Sequence, residues 1–533
     1  MPTPRQHGGA ALQPINLVSP AFKGLNTENE SALLGQEWAT TLNNAIFDTA
    51  GRVAARKGWD NQTSTAPAVT FRQVFEYKRA DGTSEVLMLT DSQLYKTPSA
   101  PSAITGTGSI TDGRAKIVNF NEKAIVFDQG GLGVYDGTTF DAVTINSGTA
   151  PSGQIGMSAY GRLWGVDVDG VTIRYSALLD ETRWDSADGG GLIDMSQVWP
   201  RGQDQIVALG SFNGDIVVFG TDTIVFWSDG VASQLGILPT DLYVSDTING
   251  VGAVYQHAIA EVEGDVWFLS ENGVVSIGRL LVQKSNPIVN VSTNNQNFIN
   301  ELLRLQRSAG VKFIDMIYSP REKMVLLNFP STTRQMYFNT LAPLEDQTFR
   351  SASWTSDLDA VCYVTDDQNI YGTLTGVDGE LFTYNGYSDN GTSFDFAYES
   401  GWLDFGVEVQ QFLKMLKRIS TVLLVETGST VTISWEYDFG ASTFTQQSAT
   451  TGSAGTEFNV GEFGANGSKD PSDGTLTAGV DVSEYGGGLK LQVIPVPAQG
   501  SGQFIKVGVS YDTANANFAL QQLTLFAKIG RIA

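Results

Sequence analysis

Two histidines and one cysteine stand among 533 residues, so the side chains that most often run nucleophilic, general acid-base or zinc chemistry are nearly missing. A Ser-His-Asp site or a His-based zinc site has little material here. His7 lies in a polar N-terminal tail, and His257 falls in a predicted strand, where a core or turn position accounts for it. Cys362 sits in the apolar run Ala360-Val361-Cys362-Tyr363-Val364 and reads as a small core residue. A lone cysteine also excludes an intrachain disulfide. No Gly-x-x-x-x-Gly-Lys-Ser/Thr run is present to cradle a phosphate, and Asp167-Val168-Asp169-Gly170 is a fragment of a calcium loop that reads better as a hairpin turn. The sequence asks for no cofactor and no metal.

Carboxylate is plentiful. There are 57 acidic against 33 basic residues, a formal net charge of -24. Glycoside cleavage needs two carboxyl groups facing each other across the sugar, and the forty acidic residues between 61 and 399 make such a pair possible by composition alone. Aromatic and Arg side chains gathered around the pair would be the discriminating sign. The stretch Tyr175 to Trp184 approaches the Asp-box of sialidases in composition, but its spacing is wrong and it lacks the Gly that makes that turn.

The charge is unevenly placed. Residues 1–60 are balanced, residues 61–399 carry -20, and residues 400–533 carry -4. Such a surplus disfavours nonspecific nucleic-acid binding, which depends on Lys and Arg displacing phosphate counterions. It suits solubility, or a surface past which a polyanion slides without sticking. Against it stands NNAIFDTAGRVAARKGW (43–59), where Arg52, Arg56 and Lys57 follow the turn Asp48-Thr49-Ala50-Gly51. Strand spacing puts Arg52 and Arg56 on one face. A two-stranded hairpin alone is marginal in water, so this one needs a sheet to join. Lys414, Lys417 and Arg418 form a second basic group near the other end.

The elements that position these residues are strands. From 71 to 385 one figure recurs, an alternating apolar run, a tight Gly, Asn or Asp turn and a second run, with copies at 71–96, 115–137, 157–176, 205–230, 258–278, 311–329 and 360–386. Such alternation marks hairpins, and a period of roughly 40 to 60 residues suits propeller blades. The expected fold is all-β, a propeller of six or seven blades, with a stacked array of sandwiches as the alternative. Phe298, Ile299, Leu302, Leu303 and Leu305 recur at helical spacing behind Asn residues able to cap, ahead of Gly310, which predicts a short helix near 297–308 that covers the propeller or meets a second subunit. Longer strands at 415–426, 430–439, 488–497, 503–512 and 518–530 predict a small sandwich, interrupted by a Gly, Ser and Thr-rich stretch at 440–480 that reads as a mobile loop. The expected division is 1–62 as an arm and hairpin belonging to the platform, 63–395 as the propeller and 396–533 as the sandwich. The N-terminus lacks the apolar core of a secretory signal, and no run reaches the ~18 apolar residues of a membrane span. These features predict a soluble chain made in a reducing cytosol.

Three stretches together carry a resemblance: FKGLNTENESALLGQEWATTLNNAIFDTAGRVAARKGW (22–59), GRLWGVDVDGVTIRYSALLDETRWD (161–185) and SGQFIKVGVSYDTANANFALQQLTLFAKIGRIA (501–533). In this order they resemble the tail nozzle proteins of short-tailed bacteriophages, also called tail tubular protein B or stabilization protein. The resemblance implies a structural virion protein rather than an enzyme, made in the host cytoplasm and built into the tail. It implies a homohexameric ring below an adaptor ring protein, with a propeller in each subunit and a platform made from both chain ends. It further implies closure of the channel on packaged double-stranded DNA, release of that DNA without specific binding, and docking of tail fibres or tailspikes. Arg52, Arg56, Lys57, Lys414, Lys417 and Arg418 are then the candidate adaptor or intersubunit contacts. The competing classes are a propeller glycosidase and a glycan-binding module at a particle surface.

Overall fold

The computed structural model describes residues 13–18, 20–48, 51–79, 81–229, 237, 239–282, 290–404, 412–426, 429–440, 445–450, 489–513 and 516–530. Most of the Gly and Ser-rich stretch at 440–480, the turn residues Thr49 and Ala50, and His7 lie outside the described residues. The chain divides into two compact units: 59–349 with 355–385, and 1–58 with 350–354 and 386–533.

The first unit is a β-propeller. Among the described residues it contains six separate antiparallel sheets, each made of strands consecutive in the chain apart from one closing strand, and a further antiparallel run of Asp315–Ser319, Met324–Phe329 and Arg334–Asn339. Every repeat seen in the sequence becomes an antiparallel run of neighbouring strands. The copy at 115–137, for example, supplies Lys116–Phe120, Lys123–Asp128 and Gly131–Tyr135, completed by Phe140–Ala142. Middle strands such as Lys123–Asp128 are buried almost throughout, because both faces of a blade pack against neighbours. The apolar residues between blades form separate clusters: Leu87, Leu89, Ile117 and Val126 join the first blade to the second, and Phe219, Phe226 and Phe268 join the fourth to the fifth. Closure follows two routes. The last blade pairs Phe382–Tyr384 with Trp59–Asn61 from the start of the chain. Val364 and Leu381 of that blade also pack on Phe71, Val74 and Met88 of the first. This closure shifts the expected boundary at 62, since Trp59–Asn61 is a propeller strand rather than part of the arm.

The helix is present at Gln296–Ser308. Ile299, Leu302 and Leu303 enter the cluster between the fifth and sixth blades. Buried Gln306 donates from Nε2 to the Phe313 carbonyl at 2.8 Å and accepts the Ser331 N–H at 3.0 Å. Capping differs from expectation, since Asn295 makes no side-chain cap and a 3-10 turn at Thr293–Asn295 leads into the helix instead.

The second unit is a β-sandwich assembled from distant parts of the chain. One sheet runs Leu489–Pro497, Leu413–Glu426, Phe518–Gly530, Val53–Ala55 and Ala45–Phe47, with Gln13–Val18 also paired to Phe518–Gly530. The opening hairpin therefore finds the sheet it needs, with Ala54 opposite Ala519 and Val53 opposite Leu520. The other sheet contains Trp38–Asn43, Asp395–Ser400, Ile505–Asp512, Thr430–Tyr437 and Thr445–Thr450. The faces meet through Phe396 and Tyr511 of one sheet against Phe518 of the other, with ring centroids 4.8 and 4.7 Å apart. Two details depart from the expected division at 395. Residues 386–395 belong to the sandwich, and so does 350–354, whose Ser353 pairs in parallel with Asn43. Among the described residues no helix is long and apolar enough to cross a membrane.

Candidate functional site

The six basic residues singled out in the sequence divide sharply. Arg56 follows the last residue of its strand, Val53–Ala55, and its side chain turns inward to 0% exposure. Its two terminal nitrogens donate to both Asp389 oxygens at 2.9 and 2.6 Å, Nε donates to Asn44 Oδ1 at 2.9 Å, and Nη1 also donates to the Lys57 carbonyl. The guanidinium stacks 3.8 Å from the Phe394 ring centroid. This fork geometry is what a guanidinium supplies and an ammonium does not. Arg56 thus clasps the opening hairpin to residues 389–394. It is not an exposed contact and does not share a face with Arg52. Gly58 completes the approach, because a Cβ there would lie 2.0 Å from the Ser388 carbonyl oxygen.

Lys414 is likewise buried, donating to the Gln503 carbonyl at 2.6 Å. Burial lowers its pKa, while Asp404 and Asp438 act in the opposite direction. Strand parity explains the position: Leu413–Glu426 alternates, and even-numbered residues at its start face inward. A register shift between Leu416 and Arg418 breaks that parity. Such a bulge lets successive side chains share a face, and Lys417 and Arg418 both emerge to solvent, with Arg418 4.1 Å over the Phe526 ring. Arg52 is partly exposed and turned onto Asp48 at 2.7 Å across the hairpin turn. Lys57 is half-buried. The residues with accessible cationic groups are therefore Arg52, Lys57, Lys417 and Arg418.

The propeller holds a charged cluster that the linear sequence does not reveal, contributed by residues at or near the innermost strands of several blades. Arg114 Nη2 meets Asp359 Oδ1 at 2.7 Å, Arg72 approaches the other Asp359 oxygen at 3.8 Å, and the Arg114 guanidinium stacks 3.8 Å over Phe313. His257 lies 3.1 Å from the Arg114 carbonyl oxygen. Burial pushes the imidazole well below its usual range, and nearby Lys116 adds to the effect. Asp315 accepts the Val361 N–H at 3.1 Å. Burial raises its carboxyl to about 7 although Arg114 opposes the shift. Burial likewise lowers the Lys116 ammonium, with Asp315 opposing.

Here two carboxyl groups do lie among Arg and aromatic side chains, the sign that a glycosidase would show. Their bonds point elsewhere, since Asp359 is held by two guanidinium groups and Asp315 by backbone. Cys362 is half-buried, and its thiol is pushed up to about 12 by burial, which suits packing rather than nucleophilic attack. Among the described residues no group of three or more His, Cys, Asp or Glu could hold a metal.

The acidity also acquires a structural use. Asp81 accepts the Thr83 N–H, Asp136 those of Thr138 and Thr139, Asp180 that of Thr182, Asp194 that of Ser196 and Asp346 that of Thr348. These are Asx turns, at tight hairpins for Asp81 and Asp136 and in longer connections or at a strand end for the others, where a short carboxylate satisfies backbone donors that the turn leaves open. The side-chain and backbone donors of Thr83 hold Asp81 below the usual carboxylate range, and those of Ser196 do the same for Asp194.

No protein-family model matches the chain, and no curated protein matches it. Among solved structures it is similar to YCF48 bound to D1 peptide, at 11% identity and a TM-score of 0.37 over 62% of this chain and 97% of that one. It is also similar to KlHsv2 with loop 6CD replaced by a Gly-Ser linker, at 10% identity and a TM-score of 0.30 over 56% and 96%.

Proposed function

We propose that this chain is the tail nozzle of a short-tailed bacteriophage, a structural part whose six copies ring the DNA channel, close it on the packaged genome and conduct that genome out. The observation that carries the reading is the chain's layout. A propeller is inserted into a sandwich built from both chain ends, and the first and last of the three resembling stretches both contribute strands to that sandwich. The accessible cations Arg52, Lys57, Lys417 and Arg418 then serve attachment to an adaptor ring or a neighbouring copy, while Arg56 and Lys414 stabilise the unit that presents them. The excess of acid in the propeller repels a passing duplex, which carries about one charge per 1.7 Å of axis.

The test is assembly of particles without this chain. The reading expects heads that fill and then lose their DNA, with tails that end at the adaptor. Particles that retain DNA and complete tails in its absence would refute it.

A further inference from the structure

The geometry points to a small-ligand site in the propeller shaped for a hydroxyl-rich molecule bearing one carboxylate, a sugar acid of the hexuronate kind. A cavity of about 430 Å³ opens among the segments that lead into the innermost strands of several blades, a size typical of small-molecule sites. Its polar lining comes from Gln129, Gln154, Tyr255, Gln256, Lys312 and Asp167. Three carboxamides in one cavity offer donors and acceptors side by side, which matches hydroxyl groups that do both.

The amides are not all used internally. Gln154 Nε2 donates to Asp112 at 3.2 Å and Asp128 at 3.4 Å, which turns its nitrogen to those carboxylates and leaves its carbonyl oxygen for a ligand. The Gln256 Oε1 atom is buried with no hydrogen-bond partner and is closed to the cavity, so Gln129 and Gln154 carry the acceptor side of the site. Charge sets the rest of the preference. Lys312 is exposed and, among the described residues, makes no ion pair, although acidic residues outnumber basic ones in this chain by 57 to 33. Asp167 lines the same cavity, but the Arg174 guanidinium holds it at 2.7 Å, so it does not cancel Lys312. One free cation beside several carboxamides fits one carboxylate on a polyol. Asp112 and Asp128, beside Gln154, are taken up by backbone donors, the Arg114 N–H for the first and the Thr111 and Gln129 N–H groups for the second.

This inference stands independently of the tail reading. It is tested by calorimetric titration of the full chain with glucuronate, glucose and N-acetylglutamate. Glucuronate is expected to bind saturably and about tenfold more tightly than glucose, the preference one charge-assisted hydrogen bond supplies. N-acetylglutamate is expected to bind no better than glucose. Lys312→Gln should abolish the difference between the two sugars, and Gln129→Ala, at an exposed position, should weaken both without lowering the melting temperature. Absence of saturable sugar binding overturns the inference. So does equal binding of glucuronate and N-acetylglutamate, which would make the ligand a peptide carboxylate, and so does an unchanged sugar preference in Lys312→Gln.

Discussion

Replacing Asp389 by alanine should destabilise the sandwich more than replacing the arginine it pairs with. In the native chain Arg56 has 0% exposure and Asp389 18%, so the partners do not suffer equally when separated. In Asp389→Ala the guanidinium loses both carboxylate bonds and stays buried against Phe394. An unpaired buried charge of this kind costs about 3–5 kcal/mol. In Arg56→Met the apolar stem still covers Phe394, the partly exposed carboxylate of Asp389 rehydrates, and the main loss is at Asn44 Oδ1 and the Lys57 carbonyl. About 2 kcal/mol is expected from those stranded acceptors. The double variant should cost less than the sum by about 2 kcal/mol, because the charge that penalised Asp389→Ala is gone. Urea unfolding of the full chain, followed by tryptophan emission and by circular dichroism, measures all three; Trp354, within 5.8 Å of the guanidinium, is a local reporter. Additive single effects of under about 1 kcal/mol each, as an exposed pair gives, would refute the clasp.

Other outcomes follow from the same geometry. Lys417→Glu with Arg418→Glu should change stability by no more than about 0.5 kcal/mol, as exposed sites do, while abolishing attachment of the chain to tails in a pull-down; intact attachment would remove these residues from the interface. Lys414→Glu, by contrast, should unfold the sandwich, read as loss of its urea transition. Gln306→Ala strands the Phe313 carbonyl and the Ser331 N–H and should cost about 2–3 kcal/mol, with loss of helical signal at 222 nm. Asp315 titrates from 3.8 in an open chain to about 7 when folded. The folded state therefore holds the extra proton between those values, and this group's contribution to stability declines as pH rises through that window. Asp315→Asn should flatten that decline, and an unaltered pH profile would show that the carboxyl is not buried as described.

The repeats were legible because each blade buries both faces of its middle strands, and seven apolar runs separated by polar turns survive in linear order. The helix at Gln296–Ser308 was legible from its spacing, and so was the need of the opening hairpin for a partner sheet. The site was less legible, for local reasons. Arg56 looks exposed by strand alternation, but its strand ends at Ala55, so alternation no longer governs it. Lys414 and Lys417 look equivalent, yet strand parity buries the first and exposes the second, and the bulge at Leu416/Arg418 brings Arg418 out beside Lys417. The boundary at 59 and the stray segment 350–354 depend on pairing across hundreds of residues, which no local pattern encodes. A further local signal is the recurring Asp with Thr or Ser two residues later, as in Asp81-Gly82-Thr83 and Asp136-Gly137-Thr138. It is the signature of Asx turns, and it assigns part of the acidity to turn construction before any function is considered.

The central claim is that this chain sits at the end of a short phage tail, and gold-labelled antibody against it, applied to particles from the source lysate and viewed by electron microscopy, tests that directly. Label confined to a short tail below one capsid vertex is the predicted result. Tail-bearing particles with accessible tails and no label, with all of the protein in soluble fractions, would contradict the nozzle assignment.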